Sequence, residues 1–305
     1  MGAGAIMLGA DFNYQFIDWQ HDPTPDEEFH HLGTLGAIIL SPTLTVGLTD
    51  WWNISLKQIL GKRYMTWGPD TTSKHHRDEG SDSDFFNAIG GYLGDCRVML
   101  RYLLLNAGSG PGVRLFFGGG FVIPSGNTLT SDPFFLSESE SIIENHRHFS
   151  MSEGVYRAIF ETQFFIKRMR NPVFMGGTLS VEEPLTENEH GFKASRLIDF
   201  SFTVFTRKLK PINGSISGNL MIRNTSKAYW NGFVAPNSES SLLIPGAGIL
   251  WNLKFATIML NLQKPIFLKG SSSGTEAYLD EKTDAWQVSL SFRKILDYYI
   301  PWLYW

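Results

Sequence analysis

Apolar and polar residues alternate one by one near the start of this chain. The even positions of residues 6–16 are all apolar or aromatic, whereas the odd positions between them include Asp11 and Asn13. Side chains of a β-strand point alternately to opposite faces, so this segment has one apolar face and one polar face. The same alternation returns at residues 96–104 and 198–204. Such strands are typical of a transmembrane β-barrel, whose outside contacts lipid and whose inside is polar.

The composition of the 305-residue chain agrees with this interpretation. Aromatic residues make up 14% and charged residues 18%, as expected where lipid-facing and interfacial positions need Phe, Tyr and Trp. No apolar run reaches the roughly 18 to 20 residues of a membrane helix. Only a closed barrel could then span a membrane, because backbone polar groups in lipid must be paired within the protein. The net charge of −4 and the dispersed basic residues give no support for a nucleic acid partner.

The alternation predicts about twelve strands, joined by connections that alternate between short and long. Short periplasmic turns and long extracellular loops are typical of an up-and-down barrel, and they place both termini in the periplasm. Pro42 and Pro245 fall inside two of these strands, where proline cannot donate to a ladder, so we expect each to mark a strand end or a bulge. The predicted strands are 4–17, 34–46, 51–65, 90–105, 113–123, 153–167, 173–182, 195–207, 214–224, 242–253, 255–267 and 284–293.

A soluble β-sandwich or a small-ligand barrel is the alternative, since its strands also alternate. Such a protein would have to bury all the aromatic residues of the apolar faces, among them Phe12 and Phe200, in one interior. We therefore favour an all-β, membrane-spanning, antiparallel up-and-down barrel over residues 1–293, in the bacterial outer membrane. The N-terminus lacks a basic region and a small-residue cleavage site, so we expect no signal peptide in this sequence.

The last residues of the chain, 294–305, are rich in Tyr and Trp and are predicted to form a tail beyond the barrel. Amphipathic rings favour the membrane interface, so we expect this tail to lie at the periplasmic side. For the same reason we expect several aromatic residues near the two membrane interfaces. They are Trp19, Trp52, Tyr64, Trp67, Trp230, Trp251 and Trp286.

The polar faces of the predicted strands assign charged residues to the lumen. Basic residues outnumber acidic ones among them, so we expect an interior that attracts anions. Some of these charges must pair, since an unpaired ion away from water is costly. The predicted lumen-lining residues are Asp11, Lys57, Arg63, Asp95, Arg97, Arg101, Arg114, Arg157, Glu161, Asp199 and Arg223.

Several short motifs resemble those of a known family. They are Gly94-Asp95 followed by residues 98–102, the glycine-rich segment 118–126, and the segments 260–265 and 286–292. This pattern resembles the outer-membrane transporters named after the MetA pathway of phenol degradation. Ser125 replaces the threonine usual in that family, and the outer loops and the tail are longer. The resemblance implies a barrel and passage of hydrophobic compounds, and it brings no catalytic residues.

All eight histidines fall in predicted outer loops, and none lies in a predicted strand. Polar loops account for this distribution by themselves. Several of these histidines nevertheless lie among carboxylates, and imidazole with carboxylate is a ligand set for zinc or copper. If the loops converge over the barrel mouth, the metal ligands are predicted to be His30, His31, His75, His76, His146 and His148.

These observations together predict an outer-membrane channel or transporter for small solutes, anionic or aromatic ones in particular. We expect no enzymatic activity, because a nucleophile beside a strand-borne histidine base is absent from the pattern. We also expect no cofactor apart from zinc or copper at the outer loops. The alternative is a barrel that transports nothing and acts as a membrane anchor or as a subunit of a surface assembly. Its long loops would then contact a surface or periplasmic protein partner or a metal.

Overall fold

The computed structural model describes residues 1–21, 31–67, 88–90, 92–108, 110–132, 149–235, 238–270 and 282–303. Within these residues, twelve antiparallel strands form a closed barrel in which each strand pairs with its neighbours in the chain and the last pairs with the first. No helix of the described part is long and apolar enough to cross a membrane. The strands are β1 (Ala5–His21), β2 (His31–Gly47), β3 (Trp52–Trp67), β4 (Leu93–Asn106), β5 (Gly112–Ile123), β6 (Arg157–Lys167), β7 (Phe174–Pro184), β8 (Leu197–Phe205), β9 (Ser215–Thr225), β10 (Ser240–Asn252), β11 (Thr257–Gln263) and β12 (Lys282–Tyr299).

The two faces of the barrel wall have the opposite chemistry to those of a soluble protein. Large apolar side chains such as Leu8, Phe121 and Phe160 point outward and are exposed. Small polar side chains are buried on the inside, Ser55 and Ser217 among them. A soluble barrel would bury the first group and expose the second, whereas lipid around the barrel favours this arrangement. The predicted fold class, an antiparallel up-and-down transmembrane barrel of twelve strands, is therefore confirmed.

The last strand is longer than the sequence indicates. We predicted that it ends at residue 293 and that a separate tail follows, but β12 continues to Tyr299, which pairs with Ala5. The reason is the length of β1, whose first residues need a ladder partner that only residues beyond 293 supply. The N–H of Ile300 then donates to the carbonyl of Gly4 over 2.9 Å. The predicted boundary between residues 293 and 294 is wrong, and the described chain beyond the barrel is a short 3₁₀ turn, Pro301–Leu303.

The two prolines lie inside strands, and each coincides with an interruption of a neighbouring ladder. Pairing of β2 with β3 stops after Leu40 and resumes at Thr43, on either side of Pro42. Pairing of β10 with β11 stops next to Pro245, and a separate short strand, Ile266–Lys269, then continues along β10. The predicted strand 255–267 is therefore split in two. Since proline has no N–H to donate, the gaps fall where the ladder loses its donors.

A small three-stranded sheet folds within the connections at the long-loop end of the barrel. It consists of Phe192–Lys193, Tyr229–Trp230 and Phe233–Val234. Asn231 and Gly232 join two of its strands with positive φ angles, as a two-residue hairpin turn requires. Trp230 is buried in this sheet against Phe192, with ring centroids 4.9 Å apart. The expectation that Trp230 lies at a membrane interface is wrong, because the loop buries the ring in its own core.

Candidate functional site in the barrel lumen

A cavity of about 430 Å³ lies inside the barrel, lined by side chains of β1 to β7 and β12. Its charged lining consists of four basic and three acidic side chains. Sequence alternation identified five of the seven and missed Glu182 and Arg293. The sequence carried a signal for both residues, because each continues the polar face of its strand. Glu182 lies two residues after Ser180, and Arg293 lies two residues after Ser291. The charged lining residues are Lys57, Arg97, Arg101, Arg293, Asp11, Glu161 and Glu182.

Arg101 and Glu161 form an ion pair that crosses the strand between them. The Nε of Arg101 donates to Oε1 of Glu161 over 2.5 Å, and its Nη1 donates to Oγ of Ser55 over 2.7 Å. Gly118 on β5 pairs in register with both residues of the ion pair. A Cβ atom at Gly118 would lie 3.1 Å from Cγ of Arg101. The glycine therefore leaves the space in which the arginine side chain reaches its partner.

Arg97 and Glu182 make a second ion pair that extends farther along the wall, from β4 to β7. Two hydrogen bonds join the guanidinium to the carboxylate, at 2.5 and 3.1 Å. Met99, Val122 and Ile159 form a buried apolar cluster on the same inner wall, level with this pair. The side chain of Glu182 is only 4% exposed, whereas that of Arg97 is 33% exposed. Glu182 is therefore a carboxylate with little access to water, and Arg97 neutralises it.

Asp11 is shared by two basic side chains. Nη2 of Arg293 lies 2.9 Å from each carboxylate oxygen of Asp11, and the hydroxyl of Ser291 donates to the same group over 2.7 Å. Nζ of Lys57 lies 3.7 Å from Asp11, too far for a hydrogen bond, and the Lys57 side chain is 38% exposed. The other two carboxylates each pair with an arginine. Asp11 therefore neutralises Lys57 only in part, because it also pairs with Arg293.

The remaining predicted lumen residues do not line this cavity. Asp199 and Arg223 pair with each other on β8 and β9, through contacts of 2.8 and 2.9 Å. Arg114 lies at the short-turn end, where its Nε donates to Oδ1 of Asn106 over 3.3 Å. The positive bias that we predicted for the whole interior is therefore smaller around the cavity than the sequence count indicates.

The other three predicted lumen residues hold the long-loop end of the barrel. Nη1 of Arg157 donates to the carbonyl of Ser195 over 2.7 Å, and its Nη2 contacts Glu153. Asp95 accepts a hydrogen bond of 3.2 Å from the N–H of Ser125. Arg63 donates to a backbone carbonyl of the loop before β6. These contacts attach connecting segments to the barrel rim.

A row of phenylalanines lines the inner wall near the short turns, and the sequence reasoning missed it. The ring centroids of Phe116 and Phe165 lie 6.0 Å apart, and those of Phe165 and Phe174 lie 5.7 Å apart. Phe205 continues the row at 5.7 Å from Phe174. Consecutive phenylalanines, such as 116 with 117 and 164 with 165, carried the signal, since one ring of each pair must point inward.

The predicted metal ligands fall almost entirely outside the described residues. His30, His75, His76, His146 and His148 lie outside them, and only the backbone of His31, in β2, is described. In the part of the chain that the structure describes, no group of three or more His, Cys, Asp or Glu side chains is arranged to hold a metal. Metal binding by the outer loops stays a prediction.

Comparisons with known proteins agree on the fold. No family model matches the chain, and no curated protein matches it. A solved outer membrane channel from Pseudomonas putida F1 has a similar structure, with a TM-score of 0.59 and 11% sequence identity over 97% of each chain. The monoaromatic hydrocarbon channel TodX, in a mutant form, gives a TM-score of 0.47 and 6% identity over 96% of this chain and 90% of that one. The first likeness confirms the barrel fold that the sequence resemblance implies, and the second is too distant to support an argument.

Proposed function

We propose that this protein is an outer-membrane channel for small solutes and that it favours anions. The observation that carries the proposal is the cavity inside the barrel, in which Lys57 adds a positive charge that the three carboxylates do not fully neutralise. Charged side chains that line a pore act on permeating ions at short range. The apolar outer surface supports a position in lipid, and the likeness to a solved outer membrane channel supports the bacterial outer membrane.

The solutes that suit this interior are small anions, including those that carry an aromatic ring. The row from Phe116 to Phe205 offers ring faces and edges near the short turns, where aromatic groups stack favourably. The ion pairs of Arg97 and Arg101 occupy part of the lumen and keep the passage narrow. Short turns facing the periplasm and long loops facing outward complete the proposed orientation, with both termini in the periplasm.

The ion pairs also favour a second candidate, a barrel that anchors a surface assembly and conducts nothing. Twelve strands enclose a narrow interior, which side chains can fill. In that case the two arginine pairs and their neighbours would seal the lumen, and the loops would contact a protein partner.

Single-channel recording in a planar bilayer separates the two candidates. For a channel we expect discrete conductance and a reversal potential in a salt gradient that indicates anion preference. Lys57→Gln should reduce that preference, whereas Lys227→Gln, an exposed loop residue outside the lumen, should leave it unchanged. Cation preference in the unmodified protein would contradict the charge assignment. A membrane that stays sealed with correctly folded protein would favour the anchor.

A further inference from the structure

The two ends of the barrel differ in how their basic side chains are neutralised. At the long-loop end, basic side chains pair with carboxylates: Arg157 with Glu153, Arg196 with Glu183, and Lys269 with Glu239. At the short-turn end, the turns between β6 and β7 and between β8 and β9 contain no acidic residue at all. Their exposed basic residues are Arg168, Arg170, Arg207, Lys208 and Lys210. We call these five residues the basic rim.

The basic rim is one continuous surface, because the two turns are hydrogen-bonded to each other. The N–H of Arg207 donates to Oδ1 of Asn171 over 2.8 Å, and Nη2 of Arg207 donates to the carbonyl of Met169 over 3.3 Å. The N–H of Val173 also donates to the carbonyl of Phe205 over 2.9 Å. Among the residues that the structure describes, no ion pair joins any member of the basic rim to a carboxylate.

Apolar side chains lie between the charges of the basic rim and indicate how deep the rim lies in the membrane. Met169 is 75% exposed, and Leu209 is exposed as well. Nη1 of Arg168 lies 4.0 Å from the sulfur of Met175, a residue on the outward face of β7. The rim therefore adjoins the lipid-facing wall, and its basic groups lie where the apolar surface ends. That is the depth of lipid headgroups, which long basic side chains reach while their stems stay in apolar surroundings.

From this placement we propose that the basic rim binds the phosphate groups of anionic phospholipids in the adjacent membrane leaflet. Clustered Lys and Arg next to a membrane-spanning segment attract anionic lipid, and each basic residue near the membrane surface adds to this attraction. Met169 and Leu209 provide apolar contacts for acyl chains beside the phosphates. The proposal does not depend on whether the barrel conducts solutes, because the rim lies outside the lumen.

Native mass spectrometry of the folded protein in detergent, with phosphatidylglycerol and phosphatidylcholine added in equal amounts, tests this assignment. We expect the unmodified protein to retain phosphatidylglycerol with a preference of about tenfold, which corresponds to one or two such basic contacts. The combined variant Arg168→Gln, Lys208→Gln and Lys210→Gln should lose most of that preference. Arg207 stays unchanged in this variant because it holds the two turns together. Added salt should weaken the preference, since exposed charges are screened.

Two further variants separate charge from other effects. Arg168→Lys with Lys208→Arg and Lys210→Arg keeps the charge and should keep the preference. Lys193→Gln with Lys227→Gln and Lys269→Gln removes the same charge at the opposite end and should also keep it. Equal retention of the two lipids by the unmodified protein would overturn the proposal. So would an unchanged preference in the rim variant. If the rim variant alters the reversal potential but not the lipid preference, the rim is part of the pore mouth and the lipid assignment is wrong.

Discussion

The ion pair of Arg97 with Glu182 allows a quantitative test of how the barrel interior is stabilised. Arg97→Met would leave the Glu182 carboxylate, 4% exposed, without its charged partner. Removing one member of a buried ion pair costs about 3 to 5 kcal/mol, mainly because the remaining charge is left uncompensated. Because the Arg97 side chain is 33% exposed, water can enter in its place, and we expect the lower end of that range, about 3 kcal/mol.

The measurement is the free energy of unfolding in urea, with the protein in phospholipid vesicles and tryptophan fluorescence as the signal. The double variant Arg97→Met with Glu182→Leu should recover most of the lost free energy, since no charge then remains buried beside Met99, Val122 and Ile159. The control is Arg196→Met, which removes a partner from a solvent-exposed pair with Glu183 and should leave stability unchanged. A double variant as unstable as Arg97→Met, or a single variant as stable as the unmodified protein, would refute the reasoning.

Three further predictions address the register, the outer loops and pH. Phe200→Arg should lower the free energy of unfolding by about 2 to 4 kcal/mol if this outward residue faces the bilayer centre. If Phe200→Arg folds normally and Ser201→Leu does not fold, the assignment of the inward and outward faces of this strand is reversed. The hydrogen bond from the Lys269 ammonium holds the pKa of Glu239 below its ordinary value. The ion pair of Glu239 with Lys269 should therefore persist above the ordinary pKa of a glutamate and be lost as the pH falls through the lowered pKa of Glu239. Hydrogen exchange at the start of β10 should then be faster in acid but not at neutral pH. Zinc or copper should bind near neutral pH and be released as the histidines protonate below their reference pKa of about 6.5. Calorimetric titration should show no metal binding after joint replacement of His75, His76, His146 and His148.

The sequence by itself determined the two-faced strands and therefore the barrel. Alternation has a period of two, which is the period of a strand, so the inward position of Asp11 and the outward position of Phe121 follow from local pattern alone. Where the alternation stops clearly, the turns of the structure lie close to the turns predicted from the sequence. The predicted last strand ended too early because residues 294–299 lose the simple alternation, although they still pair with the start of β1.

Only the tertiary structure decided which charges meet. The partner of Arg97 is Glu182, 85 residues away in the chain, and the two residues meet because β4 and β7 are linked in register through β5 and β6. Local sequence carries no information about a contact that spans two intervening strands. The same is true of the basic rim, since its two turns become one surface only when β7 pairs with β8. Alternation decides the face on which a side chain lies, and the register of the closed sheet decides its neighbours.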